Sequence, residues 1–195
     1  MLSSIHPLGE RARNNHWWLT VGTFTLASVT AGTLVGAALG LLGTVPMSGL
    51  SDTARLAAIA GVAIAAGLLD WGQVDPPGPR RQVNEHWIGY YRGWVYGGAF
   101  GAQLGLGVMT YIVTWGVYAT LAAEFIAGSW FGGAIIGAVF GFGRSIAPLT
   151  AGWIDRPSRL SAFLGQMSRL GPVMRSSGAI ATVGIGVLGV AGAML

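Results

Sequence analysis

The chain has 195 residues and a formal net charge of +4, and 52% of its residues are hydrophobic while only 9% are charged. A water-soluble domain carries roughly 25% charged residues, so this composition excludes a soluble globule and favours a membrane domain. The modest charge gives no basis for nucleic-acid binding, and the absence of cysteine excludes disulfides and thiolate chemistry.

Five apolar segments are candidates for transmembrane helices. A bilayer core about 30 Å thick needs about 20 helical residues, and the first segment exceeds the roughly 7 to 15 apolar residues of a removable signal, so we expect it to remain as an anchor. We therefore predict an all-α fold, a polytopic integral membrane helix bundle that forms a single domain over residues 1–195. The predicted spans cover residues 19–45, 54–71, 94–125, 130–149 and 178–195. A break in the third span near the sequence GLGVMT would change this count.

The arginines predict the orientation of these spans. They are concentrated before span one, between spans two and three, and between spans four and five, whereas the other two loops carry little charge. By the positive-inside rule, the N-terminus and both arginine-rich loops lie in the cytoplasm, and the C-terminus lies outside a plasma membrane or bacterial inner membrane. Asp70 and Glu124 are then expected at opposite water boundaries.

Small residues recur four apart in three of the predicted spans. Because lipid tails are as apolar as leucine, membrane helices associate through close packing, and glycine allows two backbones to approach each other. The stripes predict a tight bundle, whether they meet within one chain or between copies in a homo-oligomer. They consist of Gly32, Gly36 and Gly40 in span one, Gly97, Gly101 and Gly105 in span three, and Gly133, Gly137 and Gly141 in span four.

The sequence RRQVNEHWIGYYRGW, residues 80–94, concentrates charge and aromatic rings at the cytoplasmic entrance to span three. Trp and Tyr are enriched at membrane–water interfaces, and arginine reaches lipid phosphate there. We therefore predict an interfacial belt that binds lipid headgroups. The alternative is a polar vestibule in which Glu85, His86 and Arg92 meet a substrate. The predicted headgroup contacts in this stretch are Arg80, Arg81, Trp87, Arg92 and Trp94.

A surface helix is predicted between spans four and five, over about residues 157–171. Asp155 is suited to cap it and Pro157 to its first position, and apolar residues recur after them at three- and four-residue spacing. This pattern predicts an amphipathic helix that lies along the membrane, with Arg159 and Arg169 among anionic headgroups. A docking helix for a soluble partner is the alternative.

Few polar side chains fall within the predicted spans, and these are the candidate substrate contacts. Arg144 lies well along span four, where an unpaired arginine is costly, so it either reaches the cytoplasmic interface or contacts an anion with Ser145 beside it. Gln103, Thr110 and Thr114 are separated by seven and four residues and would share one face of a continuous helix. They either line a polar path or join helices by hydrogen bonds.

The sequence YGGAFGAQLGLGVMTYIVTWGVY, residues 96–118, resembles helices of the CcdA-like, LysE and sulfite-exporter superfamily of small polytopic membrane proteins. The resemblance implies movement of reducing equivalents, or of small anions and amino acids, across a membrane. The chain departs from the redox branch because it lacks the Cys–Pro motif, and five spans do not match the usual three-plus-three arrangement. Only a transport function is therefore carried over from this resemblance.

Two hypotheses about function follow from these observations. The first is a small transporter or exporter of an anionic or zwitterionic solute. The second is a non-catalytic accessory or scaffold subunit of a larger membrane complex, which packs through its glycine-faced helices and binds lipid. The sequence contains no nucleophile with a base, no histidine-rich metal set and no phosphate loop, so we expect no enzyme activity and no cofactor. The expected partners are membrane lipids and either copies of the chain or other membrane subunits.

Overall fold

The computed structural model describes residues 5–78, 87–109, 112–154, 156, 158–162, 165 and 183–184, with the side chains of 88 and 89 excepted. Every regular element in these ranges is a helix, which confirms the all-α prediction for this part of the chain. The helices are α1 (Pro7–Ala12), α2 (Trp17–Gly43), α3 (Asp52–Trp71), α4 (Trp87–Tyr90), α5 (Gly93–Gly105), α6 (Gly116–Ile126) and α7 (Trp130–Thr150), and a 3-10 turn (Ala151–Trp153) follows α7.

Three of the described helices are long and apolar enough to cross a membrane: α2, α3, and α7 with its following turn. Their bounds lie close to the predicted spans 19–45, 54–71 and 130–149. The count of five spans is not reproduced, because the third predicted span is divided and the fifth, residues 178–195, falls almost entirely outside the described residues. Of the predicted surface helix, residues 158–162 and 165 are described, and they are helical.

α2 and α7 pack against each other along a seam of glycines. A Cβ added to Gly32 would overlap the carbonyl oxygen of Gly137, and one added to Gly36 would overlap that of Gly133. The partner numbers fall as the α2 numbers rise, so the two helices are antiparallel. The seam continues at its two ends with Gly40 and Gly141.

α5 packs on the first half of α2 in the same manner but in the parallel direction. A Cβ on Gly101 would overlap the carbonyl oxygen of Phe24, and one on Gly105 would overlap that of Ser28. Gly97 makes the same close approach one turn earlier. The glycines of all three stripes therefore contact other helices of the same chain, and α2 is the helix that the other two share.

The structure corrects the third predicted span, because residues 94–125 do not form one continuous helix. α5 ends at Gly105 and α6 begins at Gly116. With 13 and 11 residues, these helices are about 20 Å and about 16 Å long, so neither crosses a bilayer core of about 30 Å alone. Gly107 has a φ of +76°, a left-handed conformation that ends the helical path and favours glycine.

The glycine seam predicts a sharp difference between two alanine substitutions in α7. Gly137→Ala places a methyl group against the backbone of Gly32, and we expect it to destabilise the bundle by about 1 to 3 kcal/mol, as overpacking does. Gly143→Ala is the matched control, because nothing lies within 4 Å of its Cβ position. Thermal unfolding of the purified protein in mild detergent measures both variants, and equal melting temperatures for the two would contradict the packing described here.

Candidate functional site

Buried polar side chains interrupt the apolar interior of the bundle at several places, and they are the candidates for function. Because an unpaired polar group in hydrocarbon is costly, each of these side chains requires a partner or marks a site. In the described part of the chain they are Glu10, Thr20, Ser28, Asp70, Glu124 and Ser145.

Glu10 on α1 is fully buried and joins three elements of the fold. Its Oε1 accepts from Arg13 at 2.8 Å and from the hydroxyl of Tyr96 on α5, and its Oε2 accepts from the hydroxyl of Thr20 on α2 at 2.9 Å. Charge-assisted bonds of this kind are about twice as strong as neutral ones. The carboxylate therefore fastens α1 to the ends of α2 and α5, a role that the sequence analysis did not predict.

His6 is the N-cap residue of α1. Its Nδ1 accepts from the backbone N–H of Gly9 at 3.1 Å, and Pro7 occupies a first-turn position that needs no N–H donor. Partial burial, and then the positive charge of Arg13, lower the pKa of His6 below its usual range. The imidazole is therefore neutral at pH 7 and keeps the lone pair that the cap requires.

Asp70 lies at the end of α3 and supports the start of α6. Its Oδ1 accepts from the backbone N–H of Trp115 at 2.9 Å, and the indole of Trp115 donates to the carbonyl of Val74 at 2.9 Å. The hydroxyl of Tyr118 donates to the carbonyl of Pro77. A carboxylate at a helix N-terminus stabilises the orphan N–H groups and the positive end of the helix dipole. Asp70 is 4% exposed, so within the protein its side chain is buried against other residues.

Glu124 is the buried carboxyl group that lacks a full set of partners. It is 1% exposed, and its Oε2 has no hydrogen-bond donor in the described part of the chain. Its Oε1 lies 3.2 Å from the Cβ position of Gly137, at the seam between α2 and α7. A carboxyl group buried among helices, with one oxygen that lacks a donor among the described residues, is a candidate functional group.

Arg144 and Ser145 do not form a joint site. The guanidinium of Arg144 lies 5.3 Å from the centroid of the Phe140 ring, and its Nη1 is buried without an acceptor among the described residues. Ser145 is fully buried and donates to the carbonyl of Phe142 in its own helix at 2.7 Å. Among the described residues, Arg144 contacts the face of the Phe140 ring and makes no salt bridge to a carboxylate.

The predicted polar face of span three is not present as one surface. Gln103 is half-buried on α5, whereas Thr114 lies beyond the end of that helix in the connection to α6. Thr110 lies outside the described residues. Helical spacing does not relate these positions, because the helix is interrupted between them. Gln103 and Thr114 are therefore not on one face of a continuous helix.

Of the predicted headgroup contacts that the structure describes, one is half-buried and three are exposed. Trp87 is half-buried and stacks on Phe100, with ring centroids 6.0 Å apart and an interplanar angle of 14°. Arg92 and Trp94 are exposed at the start of α5, and Arg159 is exposed after α7. The others, Arg80, Arg81 and Arg169, lie outside the described residues.

Comparison with curated proteins finds similarity to two proteins that are each named methylamine utilization protein MauF. The chain is 33% identical to the Paracoccus versutus protein over 150 residues, which are 73% of this chain and 54% of the relative. It is 33% identical to the Paracoccus denitrificans protein over 170 residues, which are 85% of this chain and 61% of the relative. The chain thus spans little more than half the length of the curated relatives that it matches. No family profile matches the chain, and no solved structure does so.

The resemblance to the CcdA-like, LysE and sulfite-exporter superfamily is therefore wrong. Both relatives carry the name of a methylamine utilization protein. The resemblance depended on one glycine-rich stretch, residues 96–118, and the structure shows that this stretch is not one helix. Its glycines reflect contact with α2, a packing need common to many membrane bundles.

The two buried glutamates predict opposite responses to the same substitution. Glu10→Gln removes the charge that Arg13, Tyr96 and Thr20 bind, and we expect a loss of about 2 kcal/mol or more. Glu124→Gln replaces a buried carboxyl group that has an unpaired oxygen, so the stability of this variant should be unchanged or higher. The melting temperatures of both variants are measured by thermal unfolding in detergent. A decrease in melting temperature for Glu124→Gln as large as that for Glu10→Gln would contradict these assignments.

The support that Asp70 gives to α6 is testable by amide hydrogen exchange. Asp70→Ala removes the acceptor for the N–H of Trp115, and we expect faster exchange in the first turn of α6 with a stability loss of about 1 kcal/mol. Asp70→Asn retains a side-chain oxygen and should restore most of the protection. Peptides from α7 serve as the internal reference. Uniform acceleration in both helices would show that the carboxylate does not act on α6 specifically.

Proposed function

We propose that this chain is a non-catalytic membrane component of a methylamine utilization system, which works with other proteins of that system. The observation that carries the proposal is the similarity to the two MauF proteins, which extends over 73% and 85% of this chain. Because the chain spans only part of each relative, the proposal concerns the membrane bundle that the shared residues form.

The arrangement of the bundle supports an accessory function. The carboxylate of Glu10 binds neighbouring side chains, and that of Asp70 binds the backbone of another helix. Ser28 on α2 donates across the helix contact to the carbonyl of Gly141 on α7 at 2.8 Å. These bonds hold helices to one another, which is typical of polar residues that stabilise membrane packing.

The alternative of solute transport has less support from the geometry. Its predicted contacts were Arg144 with Ser145 and a polar face through Gln103 and Thr114. Ser145 bonds its own helix, and Gln103 and Thr114 lie on different elements. A transport path needs polar groups that converge on one cavity, and neither the bond of Ser145 nor the break between α5 and α6 supports such a convergence.

The partner surface of an accessory subunit must lie outside the glycine stripes. Gly32, Gly101 and Gly137 are occupied by contacts within the chain, so they do not serve as docking surfaces for another subunit. The outward faces of α2, α3 and α7 carry the exposed large apolar residues, such as Leu34, Leu68 and Val139. In a bilayer these faces contact lipid or the transmembrane helices of other subunits.

Growth on methylamine tests the proposal. Deleting the gene from its host should abolish growth on methylamine and leave growth on succinate unchanged, and a plasmid copy should restore it. Initial uptake of radiolabelled methylamine by intact cells should be unaffected by the deletion. Loss of uptake would favour transport, whereas normal growth on methylamine would overturn the proposed function altogether.

Affinity purification tests the accessory role directly. An epitope-tagged copy, solubilised in mild detergent from cells grown on methylamine, should retain other methylamine utilization proteins. Gly143→Ala provides a matched variant that keeps the fold and should retain the same companions, since its Cβ position is open. Recovery of the chain alone, or only with its own copies, would contradict the accessory role.

A further inference from the structure

A cavity of about 530 Å³ lies where the starts of α2 and α5 meet. Its lining is basic and polar: Arg13, Asn14 and Asn15 come from the connection between α1 and α2, and Arg92 comes from the residue before α5. No acidic side chain is among the lining residues that the structure describes. A concave, positively charged site with amide donors is suited to an anion.

The backbone adds positive potential to the same cavity. α2 and α5 run in the same direction, so their N-termini lie at the same end of the bundle. The N-cap residues His16 and Arg92 make no side-chain cap hydrogen bond, and neither helix has an acidic residue in its first turn. Both N-cap residues line the cavity. The orphan N–H groups and the positive dipole ends of the two helices are therefore not neutralised by caps or acidic residues of their own.

Two arginines line the cavity, and they differ in whether a carboxylate neutralises them. Arg13 is ion-paired with Glu10, which is buried against Thr20 and offsets one positive charge. Arg92 is exposed, and it makes no ion pair with the other residues that the structure describes. Arginine presents a planar fork of donors that matches phosphate oxygens.

We propose that this cavity binds a phosphate group, with Arg92 as the principal charged contact and the starts of α2 and α5 as additional donors. Leu19 and Trp94 line the cavity and are 52% and 50% exposed. They place apolar surface beside the charged groups, which suits the phosphate of a lipid headgroup, and a soluble phosphate presents the same oxygens. The proposal is independent of methylamine utilization, because it rests on the geometry of the cavity alone.

Native mass spectrometry of the full chain tests the site. The protein in detergent is titrated with phosphatidylglycerol, with phosphatidylcholine as the zwitterionic comparison, and the lipid-bound fraction is counted. The wild-type protein should retain phosphatidylglycerol preferentially, and Arg92→Gln should weaken binding roughly tenfold, the loss expected for one charge-assisted contact. Arg11→Gln is the matched control, because it removes one exposed arginine at the same end of the chain that does not line the cavity.

A second variant and a second ligand make the result decisive. Asn14→Asp introduces a carboxylate into the cavity at a left-handed position that aspartate tolerates, and it should weaken binding as much as Arg92→Gln while the melting temperature is retained. If inorganic phosphate binds and depends on Arg92 in the same way, and the protein retains no lipid, the cavity is a site for a soluble phosphate. The proposal is overturned if neither ligand binds. It is also overturned if both ligands bind equally well to the wild-type protein, Arg92→Gln and Asn14→Asp.

Discussion

The close approach of backbones along α2 is the constraint on which the fold depends. Within a bilayer, apolar side chains gain nothing by leaving lipid for protein, so helices associate through dispersion, weak Cα–H···O contacts and hydrogen bonds. α5 and α7 approach α2 so closely that the carbonyl oxygens of Phe24 and Gly137 occupy the space of absent Cβ atoms. Two partners can share one helix in this way only when small residues recur along each contact, which explains the three stripes in the sequence.

Buried polar groups hold those helices that the glycine contacts do not hold. α1 is too short to hold itself on the bundle, and Glu10 attaches it through hydrogen bonds to two longer helices. α6 begins in the interior after an interruption, and Asp70 satisfies its first N–H group. Glu124 differs because one oxygen has no donor in the described residues. Its contribution to stability is therefore small or negative, and a role in function is the more economical explanation for its presence.

The sequence predicted the long helices and their packing residues better than it predicted the site. α2, α3 and α7 are visible as apolar runs of sufficient length, because hydropathy reports burial in lipid directly. The division between α5 and α6 leaves no such signal, since both sides of it are apolar, and among the described residues of the connection the left-handed Gly107 marks the turn. The sequence predicts Asp70 and Glu124 at water boundaries but does not predict that both side chains are buried inside the protein. Their burial depends on neighbours distant in sequence, which periodicity does not reveal.

The bonds between the end of α3 and the start of α6 have a mechanical consequence. Asp70, Val74 and Pro77 each bind the first turns of α6, through one backbone and two side-chain donors. An outward displacement of the end of α3 would therefore either move α6 with it or break these hydrogen bonds and leave the amide of Trp115 without its acceptor. A displacement at the end of α3 would thus be coupled, through these three hydrogen bonds, to the helix that carries Glu124.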